Sequence, residues 1–212
     1  MPVLDMPAGN ALPADEPASA PVRARRSHNR LQQVLDAAAR VFAQRGFAAA
    51  SVREIVQPIG MLPGSLYYHF PTKDDLLVAV YEEGVQRILA DVDAAIARVD
   101  TPWKQLEAAC VAHLQSILDQ TDYSQVVIRI RPGDAAPVAD RLTALRNRYE
   151  QRFAELIAAL PEARPAQRSD LRLFLMGALN WSQTWYRDSG TLGPEQIARR
   201  LIRLLRAGMD PR

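Results

Sequence analysis

The sequence predicts an all-α protein, and three of its features lead to that class. Apolar residues recur at three- and four-residue spacings over long segments, as they do on one face of an amphipathic helix. Residues that start or stop helices stand at the ends of those segments. β-branched residues never alternate with polar ones over the length of a strand. With 48% hydrophobic and 24% charged residues, the 212-residue chain has the composition of a globular protein with a well-buried core.

The N-terminal residues 1–22 are rich in proline and alanine, have little to bury, and are predicted to be disordered. A basic arm, RARRSHNR at 23–30, leads into a first helix over about 27–45. Gly46 is the expected stop of that helix. The arm, which includes Arg26, either enters a DNA minor groove or remains a solvated run of charge.

A short helix, a glycine turn and a second very short helix are predicted within residues 51–73, SVREIVQPIGMLPGSLYYHFPTK. Ser51 can cap the first of these helices, with Glu54 completing a capping box. Pro63 suits the first turn of the second. In a helix-turn-helix, one helix braces on the DNA backbone and the next enters the major groove. This layout therefore predicts DNA binding.

A long fourth helix is predicted from a cap at Thr72 to about Val99, roughly 40 Å at 1.5 Å per residue. Asp122 is expected to cap a later helix. The remaining helices are predicted near 102–120, 122–131, 137–160, 167–187 and 194–207. The expected organisation is a tail over 1–22, a helix-turn-helix domain over 23–71 and a helical domain over 72–212.

Charge and composition limit the possible functions. Residues 23–75 carry eight basic and four acidic residues in a chain of net charge +2, as expected of a DNA-facing segment. The single cysteine, Cys110, forms no intramolecular disulfide or zinc cluster. His28 and His113 lack a second ligand at a metal spacing, so no metal or cofactor is expected. Neither a membrane span nor a signal peptide is apparent, which predicts a cytoplasmic protein.

The string PGSLYYHFPTK at 63–73 resembles the tetracycline-repressor (TetR) family of bacterial transcription regulators, in which Gly-Ser/Thr-Leu-Tyr-Tyr/His-x-Phe-x-x-Lys recurs. The resemblance implies a homodimer that binds double-stranded DNA at a palindromic operator. By position it implies phosphate contacts from Tyr67, His69 and Lys73. The alternative for the aromatic cluster that includes Tyr68 is that one of its members belongs to the core.

Other DNA contacts are expected nearby. Gly64 has no side chain, so the backbone can approach the base edges, while Pro63 and Ser65 would touch bases or thymine methyl groups. Ser51 and Arg53, at the positive end of the short helix, should hold a flanking phosphate. The residues expected to bind DNA are Arg26, Ser51, Arg53, Pro63, Gly64, Ser65, Tyr67, Tyr68, His69 and Lys73.

Two positions depart from the family's usual pattern. Pro58 cannot donate a backbone hydrogen bond, so the short helix before the turn is expected to end early or bend there. Leu62 stands where the family usually has a capping Ser or Thr, and a missing cap costs on the order of 1 kcal/mol. Both changes bear on the pose of the recognition helix.

The segment MGALNWSQTWYRDSGTLGPEQIARRLIRLL at 176–205 resembles TetR-like regulators of fatty-acid, acyl-CoA and steroid catabolism. The helix over 167–187 is apolar on more than one face, so it is either central or packed on a partner. Two such helices from each subunit would form a four-helix bundle across a two-fold axis. The residues expected at this dimer interface are Leu179, Trp185, Ile197, Leu201, Leu204 and Leu205.

A small-molecule site is expected between the fourth helix and the helices near 102–120, 137–160 and 167–187. The candidates for its wall are Leu114, Leu118, Tyr149, Phe153 and Trp181, each of which could equally be ordinary core. Basic residues could meet an acidic ligand such as a coenzyme A diphosphate. They are Arg129, Arg131, Arg146 and Arg148. The resemblance favours an acyl-CoA or related apolar acid, and then an unrelated apolar or aromatic compound.

The leading hypothesis is a transcription regulator, most simply a repressor that its effector releases from DNA. An enzyme is disfavoured, since no nucleophile, acid–base pair or metal set stands in the sequence. A less specific DNA-coating protein would share the basic arm but would need no effector cavity.

Overall fold

The computed structural model describes the backbone of residues 22–209 and the side chains of residues 29–209. Within that range the chain is helical without strands, which confirms the all-α prediction. Its α-helices are α1 (Val22–Arg45), α2 (Val52–Val56), α3 (Pro63–His69), α4 (Lys73–Ile96), α5 (Pro102–Leu118), α6 (Asp122–Arg129), α7 (Ala139–Ala158), α8 (Arg168–Trp185) and α9 (Pro194–Met209). We call residues 22–71 the head and residues 72–209 the body. No described helix combines the length and the apolarity that crossing a membrane requires.

Helix α1 begins at Val22, five residues before the predicted start. The predicted basic arm therefore has a helical backbone, as its arginines and alanine allow. Residues 1–21, predicted to be disordered, lie outside the described residues. The predicted stop is confirmed: Gly46 has a φ of +76°, and its amide donates to the Phe42 carbonyl at 2.9 Å.

The turn between α2 and α3 follows the sequence closely. Ser51 caps α2 and forms the expected capping box with Glu54. Because Pro58 has no amide hydrogen, α2 ends at Val56 and a 3₁₀ turn, Gln57–Ile59, carries the chain to Gly60. Gly60 takes the left-handed conformation, with φ 62°, which reverses the chain toward α3.

Helix α4 is the central element of the fold. It packs on α1 in the head and on α5, α6 and α7 in the body. Thr72 caps it as predicted, accepting a hydrogen bond from the Asp75 amide at 3.0 Å. At 24 residues it spans about 36 Å, so its first turns belong to the head's core and its last turns to the body's.

The other predicted helices form, with shorter ends. The expected cap at Asp122 is wrong: Thr121 caps α6, its hydroxyl accepting from the Ser124 amide at 3.2 Å. Asp122 is instead the first helical residue, where its charge favours the positive helix end. Helix α6 stops at Arg129 because Ile130 is extended and Pro132 follows.

Helix α6 also joins the head to the body. The Tyr123 hydroxyl donates to Asp36 Oδ1 of α1 at 2.8 Å, and Gln32 Nε2 donates to the Tyr123 oxygen at 3.1 Å. The Arg87 guanidinium of α4 lies 4.0 Å from the centre of the Tyr123 ring and pairs with Glu83 at 2.8 Å. A polar cluster therefore links α1, α4 and α6 at the base of the head.

Candidate DNA-binding surface and effector cavity

Helix α3 is held by one buried residue and presents the rest of its surface to solvent. Leu66 is 1% exposed and anchors the helix in the head's core, whereas Tyr68 is 86% exposed and Tyr67 is 47% exposed. His69 is exposed too, and its ring meets the Tyr68 ring edge-on at 5.3 Å. No member of this aromatic cluster lies in the core, so that alternative is wrong.

The start of α3 is equally open. Pro63, Gly64 and Ser65 are exposed, and a Cβ built on Gly64 would meet nothing within 4 Å. The fold itself therefore does not require a glycine there. Leu62 is 74% exposed and gives α3 no side-chain cap, as its identity predicts.

At the start of α2, the capping box occupies part of the expected phosphate site. Ser51 Oγ donates to Glu54 Oε2 at 2.8 Å and accepts from the Glu54 amide at 3.3 Å. The hydrogen bonds from Ser51 lower the pKa of Glu54, so the carboxylate is charged where a phosphate would sit. Arg53 is exposed and forms no ion pair among the described residues. The side chain of Arg26 lies outside the described residues.

Lys73 is placed differently from the expectation. Its Nζ donates to the backbone carbonyl oxygens of Phe47 at 2.9 Å, Ala50 at 3.0 Å and Ala48 at 3.4 Å, and it lies 4.6 Å from the centre of the Phe47 ring. An ammonium group has three hydrogens to donate, and these carbonyls take all of them. Lys73 therefore fastens the loop between α1 and α2 to the start of α4, and we remove it from the set of phosphate contacts.

The body contains a cavity of about 290 Å³ beneath α4 and α6. Five helices, α4 to α8, and the segment after α6 supply its apolar and polar walls. The lining residues are Tyr81, Val85, Ile88, His113, Ile117, Val127, Ile128, Ile130, Arg131, Pro132, Arg146, Tyr149, Glu150, Met176, Asn180 and Gln183. Two larger depressions, of about 620 and 640 Å³, are more open to solvent, so they enclose a small molecule less well.

Only one of the five residues expected on the effector wall lines this cavity, and that residue is Tyr149. Leu114 and Phe153 are fully buried core, because they lie on the faces of α5 and α7 that meet other helices. Leu118 lines two other depressions. Trp181 is 65% exposed on the outer face of α8, so it forms no part of the wall.

His113 and Tyr149 form a buried polar pair at the cavity wall. His113 is 2% exposed, and its Nδ1 shares a hydrogen bond with the Tyr149 hydroxyl. Burial lowers the pKa of His113 to about 4, an effect that neighbouring Asn180 partly offsets. Burial also raises the pKa of Tyr149 well above its ordinary value. In the sequence, His113 lacks a second ligand at a metal spacing, and its place on an apolar face of α5 is the only feature that indicates its burial.

Two arginines line the cavity. Arg131 is exposed and makes no ion pair among the described residues, whereas Arg146 pairs with Glu150 at 3.2 Å. Glu150 also pairs with Arg172 of α8. Of the other expected arginines, Arg148 pairs with Glu82 at 3.5 Å, away from the cavity.

The expected dimer interface divides into two groups. Leu179, Ile197 and Leu205 are buried within the protomer, so they are not available to a partner, and Leu201 is half-buried on the same core. Trp185 and Leu204 are exposed, at 49% and 69%. Large exposed apolar residues cluster on α8 and α9, and we call this set the outer face: Leu173, Phe174, Trp181, Trp185 and Leu204.

Two descriptions of known protein families match this chain. Residues 34–80 match the family described as bacterial regulatory proteins, tetR family, and residues 99–209 match tetracyclin repressor-like, C-terminal domain. The chain is 25% identical over 189 residues to the HTH-type transcriptional repressor KstR2 of Mycobacterium tuberculosis, covering 86% of this chain and 94% of that protein.

Solved structures share the fold. The superantigen PfiT superposes with a TM-score of 0.70 at 29% identity, over 82% of this chain and 94% of that one. AibR, in complex with isovaleryl coenzyme A and operator DNA, superposes with a TM-score of 0.67 at 21% identity, over 82% and 97%. Since the N-terminal match and the C-terminal match, which covers more than half of the chain, are both to tetracycline-repressor-like regulators, the chain belongs to the tetR family of bacterial regulatory proteins.

Proposed function

We propose that this protein is an operator-specific transcription repressor that a small molecule releases from DNA. The observation that carries the proposal is the outward face of α3, where Tyr67, Tyr68 and His69 are exposed around one buried anchor. Hydroxyl and imidazole groups on a short exposed helix suit phosphate contacts, and the open backbone at Gly64 suits approach to base edges. A cytoplasmic location follows from that role.

Arg53 is the cation that we propose for the flanking phosphate. It is exposed and unpaired among the described residues, and it lies in the first turn of α2. Ser51 stabilises the first turn of α2 through its capping box with Glu54. This turn, rather than the Ser51 hydroxyl, would contact the phosphate through its backbone amides. Two copies of this surface, related by a two-fold axis, would read a palindromic operator.

For the effector we propose an acyl-CoA or related apolar acid. Apolar side chains of α4 and α6 line part of the cavity, and Arg131, which makes no ion pair among the described residues, could meet a phosphate or carboxylate. KstR2 is a transcriptional repressor by name, and AibR was solved with isovaleryl coenzyme A, although the likeness to AibR concerns the fold alone. The second candidate is an unrelated apolar or aromatic compound, which the apolar side chains of the cavity would also accept.

Footprinting on the DNA beside the chain's own gene tests the regulator proposal. We expect a protected palindrome, with binding weakened by Tyr67→Phe and Arg53→Met but unchanged by Lys104→Met, which alters an exposed body residue. Each lost phosphate contact should cost about 0.5–3 kcal/mol of binding free energy. Uniform protection of unrelated DNA would favour a DNA-coating protein instead. Turnover of thioesters by the pure protein would favour an enzyme.

A further inference from the structure

Among the buried side-chain nitrogens and oxygens that the structure describes, one lacks a hydrogen-bond partner, and it belongs to a cavity residue. That atom is Nε2 of His113. The imidazole is fixed by stacking on Tyr149, with ring centres 5.6 Å apart, and by edge contact with Phe153 at 5.7 Å. Buried polar atoms are nearly always paired, so an unpaired one beside a cavity indicates a missing partner.

The hydrogen bond between His113 Nδ1 and Tyr149 decides whether Nε2 is a donor or an acceptor. At neutral pH the imidazole is uncharged and the phenol keeps its hydrogen, since burial moves both pKa values away from neutrality. If Tyr149 donates to Nδ1, then Nε2 carries the imidazole hydrogen and one group remains unpaired. If Nδ1 donates instead, the phenol hydrogen and the Nε2 lone pair both lack partners among the described residues. The first arrangement leaves fewer unpaired groups, so Nε2 is a donor.

The neighbouring Asn180 and the volume of the cavity limit which ligand can pair with Nε2. Asn180 lies beside the imidazole and lines the same cavity, but none of its atoms meets Nε2 with hydrogen-bond geometry. Its side chain is exposed, so a ligand can displace it and reach Nε2. At about 290 Å³ the cavity lies at the lower end of the range for small-molecule sites and holds about ten groups the size of a water molecule.

We infer that the cavity binds a compact apolar molecule through a carbonyl oxygen that accepts a hydrogen bond from Nε2–H of His113. The inference rests on this cavity being the effector site of the proposed repressor, and it specifies what that site recognises. A ketone, ester or thioester carbonyl meets the donor with an acceptor and carries no charge that would have to be desolvated. An alkane of the same shape would leave Nε2–H unpaired.

The hydrogen position can be measured without any ligand. Full-length protein labelled with ¹⁵N histidine distinguishes the two imidazole tautomers by nitrogen chemical shift, with His28→Gln and His69→Gln assigning the three histidines. We expect His113 to carry its hydrogen on Nε2, and Tyr149→Phe to lower the population of that tautomer. A hydrogen on Nδ1 in the wild-type chain would overturn the inference.

Matched probes test the recognition. 4-Phenylbutan-2-one and butylbenzene differ only by a carbonyl group in place of a methylene, and calorimetry gives a dissociation constant for each. We expect His113→Phe to shift the ratio of the two constants about tenfold toward butylbenzene, because the variant keeps the ring and removes the donor. An unchanged ratio would overturn the proposed hydrogen bond to the carbonyl oxygen. If neither probe binds the wild-type protein, the inferred size of the ligand is wrong.

Operator binding is measured on the same variants, which separates this inference from the proposed function. If the probes show the expected preference and no operator is bound, the repressor proposal fails and the recognition stands. If an operator is bound and the preference is absent, the recognition fails alone.

Discussion

The ammonium group of Lys73 fastens the loop between α1 and α2 to the start of α4 through three carbonyl oxygens. Lys73→Met keeps most of the side-chain volume and removes all three hydrogen bonds, so we expect unfolding free energy to fall by about 1–3 kcal/mol. The salt dependence of operator binding should not change, because no phosphate contact is lost. Lys104→Met, at the other lysine of the chain, is the control for the loss of one charge.

Denaturant titrations and operator titrations at several salt concentrations measure both quantities. A slope of log affinity against log salt that falls by about one unit, with stability unaffected, would restore Lys73 to the DNA interface.

His113 should make stability depend on pH in a defined window. Its folded pKa is about 4 and its ordinary value is 6.5, so between these values the unfolded chain binds a proton that the folded chain does not. Stability therefore falls as pH drops through this window, by up to about 3 kcal/mol from this residue.

The comparison is between wild type and His113→Phe, by denaturant titration near pH 7 and near pH 4. Other groups titrate in both proteins, so their effects cancel in the comparison. Between pH 7 and pH 4 the variant should therefore lose up to about 3 kcal/mol less stability than the wild type. Equal losses would mean that His113 is protonated in the folded protein.

At the scale of elements, the close packing of α4 on α6 depends on Gly84. A Cβ there would lie 2.7 Å from Val127 Cγ2 and 3.1 Å from the Tyr123 carbonyl oxygen. Gly84→Ala should therefore push α6 outward and cost about 1–3 kcal/mol, despite alanine's better helix propensity.

Adding Val127→Ala to Gly84→Ala should recover part of that loss, since it removes the nearer of the two contacts. Gly208→Ala in α9, where a Cβ meets nothing within 4 Å, is the control and should be neutral or slightly stabilising. Thermal unfolding compares all four proteins. No loss in Gly84→Ala would mean that the two helices separate at little cost.

These elements also show how far the sequence could predict the structure. Ser51, Gly46 and Pro58 act on their own backbone neighbours, so their effects on α1 and α2 could be predicted from local rules. Gly84 and Lys73 act on residues far along the chain, and their partners depend on how the helices pack. The cavity wall could not be predicted for the same reason, since α6 contributes residues that carry no chemical signal in the sequence.

At the scale of the whole molecule, we propose the outer face on α8 and α9 as the surface where a second copy docks. Large apolar residues left in water favour association, and this face holds Trp181 at 65% and Leu204 at 69% exposure. We expect the pair Trp181→Glu with Leu204→Glu to give a folded monomer by light scattering that no longer binds a palindromic operator, because charge would be buried unpaired.

Leu205→Glu is the contrasting variant. Leu205 is 6% exposed in the protomer's own core, so this change should unfold the protein rather than separate subunits. A stable dimer in the outer-face variant would place the subunit contact elsewhere.

In the proposed repressor, the coupling of effector to operator would be a property of the dimer as a whole. Two half-sites lie about 34–36 Å apart, or a multiple of that distance, so the separation of the two α3 helices sets operator affinity. The cavity is lined by Val85 and Ile88 of α4 and by Val127 of α6, and both helices also contact α1 of the head. A ligand that favours a different position of these helices would move the heads apart or together. The ligand shifts the population of the two helix positions only as far as its affinities for them differ.

Linkage then requires that operator weaken effector binding by the same factor that effector weakens operator binding. We predict equal reciprocal factors, measured by titrating octanoyl-CoA with and without operator, and operator with and without octanoyl-CoA. Phe153→Trp would disturb the core rather than narrow the cavity, because Phe153 is fully buried. Ile128→Trp narrows the cavity from its wall and should blunt the response while leaving operator affinity unchanged. If octanoyl-CoA does not bind, the acyl-CoA assignment is wrong; if it and operator bind together without mutual weakening, this mechanism of release is wrong.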